Sequence, residues 1–269
     1  MNNLLRIFFV GDIVGEPGIK ALKTYLPEIK NKYSPDFIIM NGENACEGKG
    51  ITENEANILF EQGASIITTG NHVWENWKSK PLLSSNPKVL RPLNYPSGNA
   101  GYGYFINKLD NNIEIGVLNL QGRTFMYSID CPFKTADFAL KVISERTKII
   151  IVDFHADATA EKQAMGWYLD GKVSAVIGTH THVPTSDACI LPNGTAYISD
   201  VGMTGAYDSV VGLKKEIALK RFILQTPHKF ELAENDIRLC GVFLVIDSQT
   251  GQALHIEQVI HPKFENSVI

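Results

Sequence analysis

The sequence has no apolar run long enough to cross a membrane, no block of lysine or arginine, and no cysteines at a paired spacing. The apolar run near the N-terminus stops at Gly11 and Asp12, too early for the core of a signal peptide, and no small-residue cleavage site follows. The scattered cysteines favour reduced thiols over a disulfide framework. We therefore expect a cytoplasmic protein with no membrane partner.

The charge balance is slightly acidic, since 25 basic residues against 29 acidic ones give a formal net charge of -4. Stable binding to duplex nucleic acid needs Lys and Arg to neutralise phosphates, so the composition disfavours this class of partner. A small phosphate ester is not excluded, because a bound metal ion can supply positive charge locally. The length of 269 residues allows a substantial core, and we expect one domain over residues 1–269 and a homo-oligomer.

Nine apolar, β-rich runs recur along the chain, and several are apolar on successive residues, as in strands that are covered on both faces. They are residues 5–10, 37–40, 65–68, 113–118, 149–152, 173–177, 196–199, 242–246 and 255–260. Residues 88–118 and the runs after Arg238 also carry turn residues typical of hairpins.

Helical patterns lie between the early runs. One covers residues 19–29, a second begins at Thr52 and Glu55, which have the spacing of a capping box, and a third covers residues 136–145. The resulting β-α-β-α-β order favours parallel strands in the first half. Together with the hairpins, it predicts an α/β fold of two mixed β-sheets packed face to face with helices outside.

Residues that can bind a metal ion follow five of the predicted strands. They are Asp12, Glu43 with Asn44, Asn71 with His72, His155, and the two histidines of Gly178-Thr179-His180-Thr181-His182. In open α/β sheets, ligands bind beyond the carboxyl ends of the strands, so these side chains are expected to share one site. Oxygen and imidazole ligands without cysteine suit iron, manganese or zinc, and six or seven ligands suggest two ions that share a bridging carboxylate.

Taken one at a time, most of these residues have a structural alternative. Asp12 could cap the following helix, and Glu43 could belong to a polar turn. His155 could be a hydrogen-bonded core histidine, and Asp153 could either orient a neighbouring ligand or end its strand. The loop at residues 200–205 could line the pocket or be an ordinary turn. Only the combination of five strand ends favours a metal site over these alternatives.

The pattern resembles the calcineurin-like metallophosphoesterases, whose ligands follow the order Asp, Asp, Gly-Asn-His, His and Gly-His-x-His. This chain differs at two positions, since Val14 stands where the superfamily usually has a histidine and Glu43 replaces the second aspartate. Both differences are similar to the YmdB-like branch, as are residues 41–45, 120–125 and 200–205. The resemblance implies a four-layer α-β-β-α metallophosphoesterase sandwich and a 2′,3′-cyclic nucleotide phosphodiesterase.

The resemblance also implies a role for each residue. One metal would be held by Asp12, Glu43, Asn44 and His182, and the other by Glu43, Asn71, His155 and His180. His72 would contact the phosphate, as Asn71 also could, or donate a proton to the leaving oxygen. The attacking group would be a hydroxide that bridges the two divalent ions, with iron or manganese favoured over zinc.

The sequence leaves two alternatives to a cyclic-nucleotide phosphodiesterase. The same dinuclear centre could serve a phosphomonoesterase or a diesterase acting on RNA or DNA fragments. A protein of another class, with a regulatory role and a vestigial metal site, is the second alternative.

Overall fold

Residues 3–264 are described by a computed structural model, in which strands and helices alternate along most of the chain. The strands are β1 (Leu4–Val10), β2 (Asp12–Ile13), β3 (Phe37–Asn41), β4 (Ile66–Thr68), β5 (Val89–Leu90), β6 (Tyr104–Lys108), β7 (Glu114–Gln121), β8 (Ile150–His155), β9 (Ala175–Thr179), β10 (Cys189–Ile190), β11 (Ala196–Ile198), β12 (Met203–Ala206), β13 (Ile237–Asp247) and β14 (Ala253–His261). The α-helices are α1 (Gly15–Tyr33), α2 (Glu53–Glu61), α3 (Ser79–Ser85), α4 (Pro132–Ile143), α5 (Thr159–Leu169) and α6 (Lys215–Leu224). A short 3-10 helix covers Asn71–Trp74.

The strands form two mixed sheets. The first has eight strands in the order β2-β12-β13-β1-β3-β4-β5, with β14 paired to β13, and the second has six in the order β10-β11-β9-β8-β7-β6. Parallel pairing joins β1, β3, β4 and β5 in one sheet and β7, β8, β9 and β11 in the other. The carboxyl ends of these strands therefore lie at one edge of each sheet.

Three apolar clusters separate four layers. The middle cluster lies between the sheets and includes Phe9, Ile39 and Ile177, all fully buried. The second packs the first sheet against α1 and α2, and the third packs the other sheet against α4 and α5. Because strands such as β3 are buried on both faces, they are apolar on successive residues. The predicted α-β-β-α sandwich is confirmed.

Several local predictions are also confirmed. Thr52 and Glu55 form both hydrogen bonds of a capping box at the start of α2. The strand pairs β6–β7 and β13–β14 are antiparallel, as the hairpin patterns indicate. The predicted third helix begins earlier than expected, at Pro132, whose fixed φ suits the first turn of a helix.

The sequence patterns do not predict helix α6 or the full length of strand β8. In α6 Ala218 is the one buried residue, so no apolar stripe marks the helix. Strand β8 extends three residues beyond the predicted end at residue 152, because its ladder with β9 continues through Asp153 and His155. Among the residues described, no helix is long and apolar enough to span a bilayer. The single domain over residues 1–269 stays a prediction, and residues 1–2 and 265–269 lie outside the described residues.

Candidate metal centre

The predicted ligands meet at the carboxyl edges of the two sheets. Asp12 lies in β2, Glu43 and Asn44 follow β3, and Asn71 with His72 opens the 3-10 helix after β4. From the second sheet, His155 ends β8, and His180 and His182 follow β9. Asp12, Glu43 and His155 are fully buried, so their polar atoms must find partners inside the protein or bind a cation.

Four of these residues, here called the His155 group, converge on one point. They are Glu43, Asn71, His155 and His180. The His155 Nε2 atom lies 3.1 Å from Glu43 Oε1, 3.2 Å from Asn71 Oδ1 and 3.0 Å from His180 Nδ1. Glu43, His155 and His180 each offer a ligand atom within 4.8 Å of the other two. Such a cluster of oxygen and imidazole donors has the composition of a divalent metal site.

The protonation states in this group suit a cation. Burial lowers the pKa of His155 to about 3 and that of His180 to about 2, so both rings are neutral near pH 7. Neutral imidazole is the form that binds metals. Burial also raises the pKa of Glu43 to about 7, although the nearby His72 opposes this rise. A bound cation would favour the ionised carboxylate.

A hydrogen-bond chain fixes the orientation of the His155 ring. Asp153 Oδ1 accepts a hydrogen bond of 2.7 Å from the Thr179 hydroxyl, and the Thr179 oxygen lies 2.9 Å from His155 Nδ1. With its own proton donated to Asp153, the Thr179 oxygen accepts the Nδ1 proton, which leaves Nε2 unprotonated and directed at Glu43. Asp153 therefore lies within β8 and orients a neighbour through Thr179.

The remaining predicted ligands, here called the His182 group, are Asp12, Asn44 and His182. His182 Nε2 lies 3.3 Å from Asn44 Oδ1, and its Nδ1 atom donates to the Val211 carbonyl at 3.0 Å. That hydrogen bond leaves Nε2 free to bind a metal. Asp12 Oδ2 accepts the His180 backbone N–H at 3.1 Å, which joins the two groups.

The alternative that Asp12 caps a helix is wrong. Helix α1 begins at Gly15 with Val14 at its N-cap position, and no side chain caps it. Asp12 Oδ1 and Glu43 Oε2 are instead buried oxygens that accept no hydrogen bond from any residue described. Buried carboxylate oxygens without a partner are costly, and burial raises the pKa of Asp12 accordingly. The residues present thus fit a cation well.

Backbone conformation shapes this site at two places. A Cβ atom on Gly70 would lie 2.2 Å from both Glu43 Oε2 and the His155 ring, so this position has no room for a side chain. His180 and His182 have φ angles of 100° and 65°, in the left-handed region that non-glycine residues seldom adopt. Strain of this kind is concentrated at functional sites.

His72 lies beside the His155 group. Its backbone N–H donates to Glu43 Oε1 at 3.1 Å, and its ring Nδ1 lies 2.6 Å from Glu75 Oε1. The side chain keeps 27% of its surface exposed, unlike the buried ring of His155. No sequence pattern singles out Glu75, which follows one turn after His72 and pairs with Lys49.

A family model described as YmdB-like protein matches residues 8–259. The chain belongs to the YmdB-like family. Over 256 residues it is 48% identical to the 2′,3′-cyclic-nucleotide 2′-phosphodiesterase of Bacillus subtilis (strain 168), a match that covers 95% of this chain and 97% of that protein. The predicted family is confirmed.

Two solved structures share the fold of this YmdB-like protein. One is a hypothetical protein from Thermus thermophilus, 40% identical with a TM-score of 0.89, covering 95% of this chain and 98% of that one. The other is described as a novel phosphatase from Mycoplasma pneumoniae, 33% identical with a TM-score of 0.90, covering 97% and 94%.

The YmdB-like structure also contains a buried ion pair that the sequence patterns do not reveal. Lys162 Nζ of α5 lies 2.7 Å from Asp200 Oδ2, and both side chains are almost fully buried. The same carboxylate accepts hydrogen bonds from the backbone N–H and the hydroxyl of Thr181, and its other oxygen accepts the Gly202 N–H. Residues 200–202 therefore brace the turn that carries His180 and His182. The predicted loop at residues 200–205 is shorter than expected, because residues 203–205 belong to β12.

Proposed function

We propose that this YmdB-like protein is a metal-dependent phosphodiesterase that hydrolyses small cyclic nucleotides, preferably 2′,3′-cyclic ones. The observation that carries the proposal is the convergence of Glu43, His155 and His180 within 4.8 Å, beside buried carboxylate oxygens without hydrogen bonds. The substrate class rests on the name of the Bacillus subtilis relative. The names of the relatives also agree with the predicted class of enzyme, a hydrolase of phosphate esters.

The two residue groups would hold two divalent cations. Asp12, Asn44 and His182 would bind one, Asn71, His155 and His180 the other, with Glu43 shared. Bound cations supply Lewis-acid stabilisation of phosphate charge and lower the pKa of the attacking water. Iron or manganese is favoured by the mixture of oxygen and nitrogen donors without sulfur.

The chain itself would position the substrate and move a proton. His72 donates its backbone N–H to Glu43 of the His155 group, and its half-buried ring would contact a phosphate bound there. The contact between its Nδ1 atom and Glu75 favours a proton on that nitrogen and leaves Nε2 to face the substrate. A protonated His72 would donate to the departing ribose oxygen, and Asn71 would bind the phosphate through its amide.

Two substitutions separate the roles of ligand and proton donor. His180→Ala should deplete bound metal and activity together, because it removes a ligand. His72→Ala should lower kcat by about 10²- to 10⁴-fold while the metal content stays close to that of the unmodified protein. Elemental analysis of protein purified without chelator, with rates on 2′,3′-cyclic AMP, gives both quantities. Equal loss of metal in the two variants would refute the assignment of His72.

A second candidate is a phosphomonoesterase, because the Mycoplasma pneumoniae relative is described as a phosphatase. Rates on 2′,3′-cyclic AMP, 3′,5′-cyclic AMP, short RNA fragments and p-nitrophenyl phosphate distinguish the candidates. A rate on the monoester that exceeds the cyclic diester rates would overturn the preferred substrate class. A complete lack of hydrolysis with Mn²⁺ or Fe²⁺ would favour the regulatory alternative. The homo-oligomeric state and the cytoplasmic location stay predictions.

A further inference from the structure

Two aromatic side chains are exposed beside the candidate centre. Phe125 keeps 85% of its surface accessible and Tyr127 keeps 72%. Both follow β7, whose last residue, Gln121, pairs with His155 across the sheet. Aromatic rings that are left so open cost solvation free energy, and large exposed apolar groups at a cleft are typical of binding sites.

The loop that carries these rings is held in place. The Glu161 carboxylate of α5 accepts the backbone N–H groups of Arg123 and Thr124 at 3.0–3.1 Å. Phe125 itself has a φ angle of 62°, in the left-handed region. A phenylalanine in this conformation is strained, and the surrounding contacts maintain it. The exposed ring is therefore presented by a braced loop.

The rings and the centre share one cavity. A cavity of about 310 Å³ is lined by Asn71, Phe125, Met126, Tyr127 and His180. Asn71 and His180 belong to the His155 group, so one wall of this cavity offers phosphate and metal contacts and another wall is aromatic. The volume lies at the lower end of the range of about 300–1,000 Å³ for small-molecule sites.

We infer that Phe125 and Tyr127 form a stacking subsite for the nucleobase of the substrate. This inference rests on the proposed function. It assigns a binding site to the base, the part of the substrate that the His155 and His182 groups would not contact. A ring face attracts any base, because every base has a π-face. The subsite should therefore raise the affinity for nucleotides over base-free ribose phosphates, with only weak discrimination among the four bases.

A second cavity, of about 370 Å³, borders His182 and is the alternative place for a base. Its aromatic residues are Tyr207 and Phe264, whose rings contact each other edge to face at 5.3 Å. The Tyr207 hydroxyl donates to the Met203 carbonyl at 2.9 Å. Because these rings are already engaged with each other, they are less suited to stack on a ligand.

The test compares two substrates and two matched variants. The substrates are 2′,3′-cyclic AMP and methyl ribofuranoside 2′,3′-cyclic phosphate, which lacks the base. Phe125→Ala should lower kcat/KM for the nucleotide by about 5- to 150-fold, mainly through KM, and leave the base-free substrate unchanged. Alanine shares the left-handed strain, so the comparison isolates the ring. Phe125→Tyr should retain wild-type values.

Phe264→Ala is the control, since it removes an exposed ring from the second cavity. This variant should leave kcat/KM unchanged for both the nucleotide and the base-free substrate. A base-selective loss in Phe264→Ala but not in Phe125→Ala would overturn the inference, and so would equal losses on both substrates in Phe125→Ala.

A binding measurement keeps this inference separate from the proposed function. If the unmodified protein hydrolyses neither substrate, the proposed function fails, and the subsite is then tested by calorimetric titration with adenosine 3′-monophosphate and ribose 5-phosphate in the presence of Mn²⁺. The inference expects Phe125→Ala to weaken binding of the nucleotide alone. Unchanged affinity for the nucleotide would overturn it.

Discussion

The two halves of the candidate centre are held in place by different means. In the His155 group, a strand residue is oriented by side chains, since Thr179 and Asp153 of neighbouring strands fix the ring. In the His182 group, the ring is held by the Val211 carbonyl, and His182 and Val211 both have positive φ angles. The orientation of His155 thus depends on side-chain identity within a sheet, and that of His182 on the conformation of loops.

The largest effect should come from Glu43, which both halves share. Glu43→Ala should lower turnover on the order of 10⁴-fold, because it removes a ligand from both proposed cations. Elemental analysis should show less than half of the unmodified metal content. Glu47→Ala is the matched control, since this carboxylate lies in the same loop and is exposed. Retained metal and activity in Glu43→Ala would contradict a shared ligand.

The stability of the protein around the turn with His180 and His182 should depend on the buried ion pair between Lys162 and Asp200. Lys162→Met leaves Asp200 buried without its cation, so the free energy of unfolding should fall by about 3–5 kcal/mol. Lys214→Met, at the exposed pair with Glu231, should leave the free energy of unfolding almost unchanged, because water screens this pair. Urea unfolding of both variants measures these values. A small change in Lys162→Met would show that the loop does not depend on this pair.

Metal binding by the His155 group should depend on the hydroxyl group of Thr179, which contacts His155. Thr179→Val removes the acceptor for His155 Nδ1, so metal affinity or activity should fall by about 10- to 100-fold. Thr68→Val is the control, because the Thr68 hydroxyl also donates to Asp153 but contacts no predicted ligand. Metal titration of the two variants distinguishes loss of the histidine contact from general damage around Asp153. Equal losses would count against the role given to Thr179.

The smallest effect is expected at Val211. Val211→Gly keeps the backbone carbonyl that accepts the hydrogen bond from His182. It also removes backbone strain, because valine is β-branched and has a φ angle of 48° at this position. The relief of about 1–2 kcal/mol is partly offset by the entropy of glycine, so stability should change by about 1 kcal/mol or less, with kcat/KM unchanged. Thermal unfolding and the standard assay measure both quantities. A large loss of activity would mean that the valine side chain itself matters.

The same contrast explains what the sequence could predict. Residues such as Glu43 and His155 lie at the ends of apolar strands, and strand order alone brings such ends to one edge of a sheet. For this reason the location of the predicted ligands follows from local patterns. The layered fold follows in the same way, because strands that are apolar on successive residues require cover on both faces.

Contacts between distant residues could not be predicted in this way. Lys162 and Asp200 are 38 residues apart and neither has a local pattern, so their pairing depends on how α5 packs against the second sheet. Helix α6 could not be predicted because its six apolar residues do not form one buried face, and four of them are exposed. The presentation of Phe125 depends on Glu161, which belongs to another element. Tertiary packing decides each of these features.

Gly70 contributes no donor atom, yet the cage around Glu43 and His155 closes directly over it. The methyl group of an alanine at position 70 would collide with Glu43 and His155 where the cations are proposed to bind, although every ligand would still be present. Metal binding at this centre therefore depends on the space beside Gly70 as well as on the ligands. A substitution that fills this space would be harmful even though it changes no ligand.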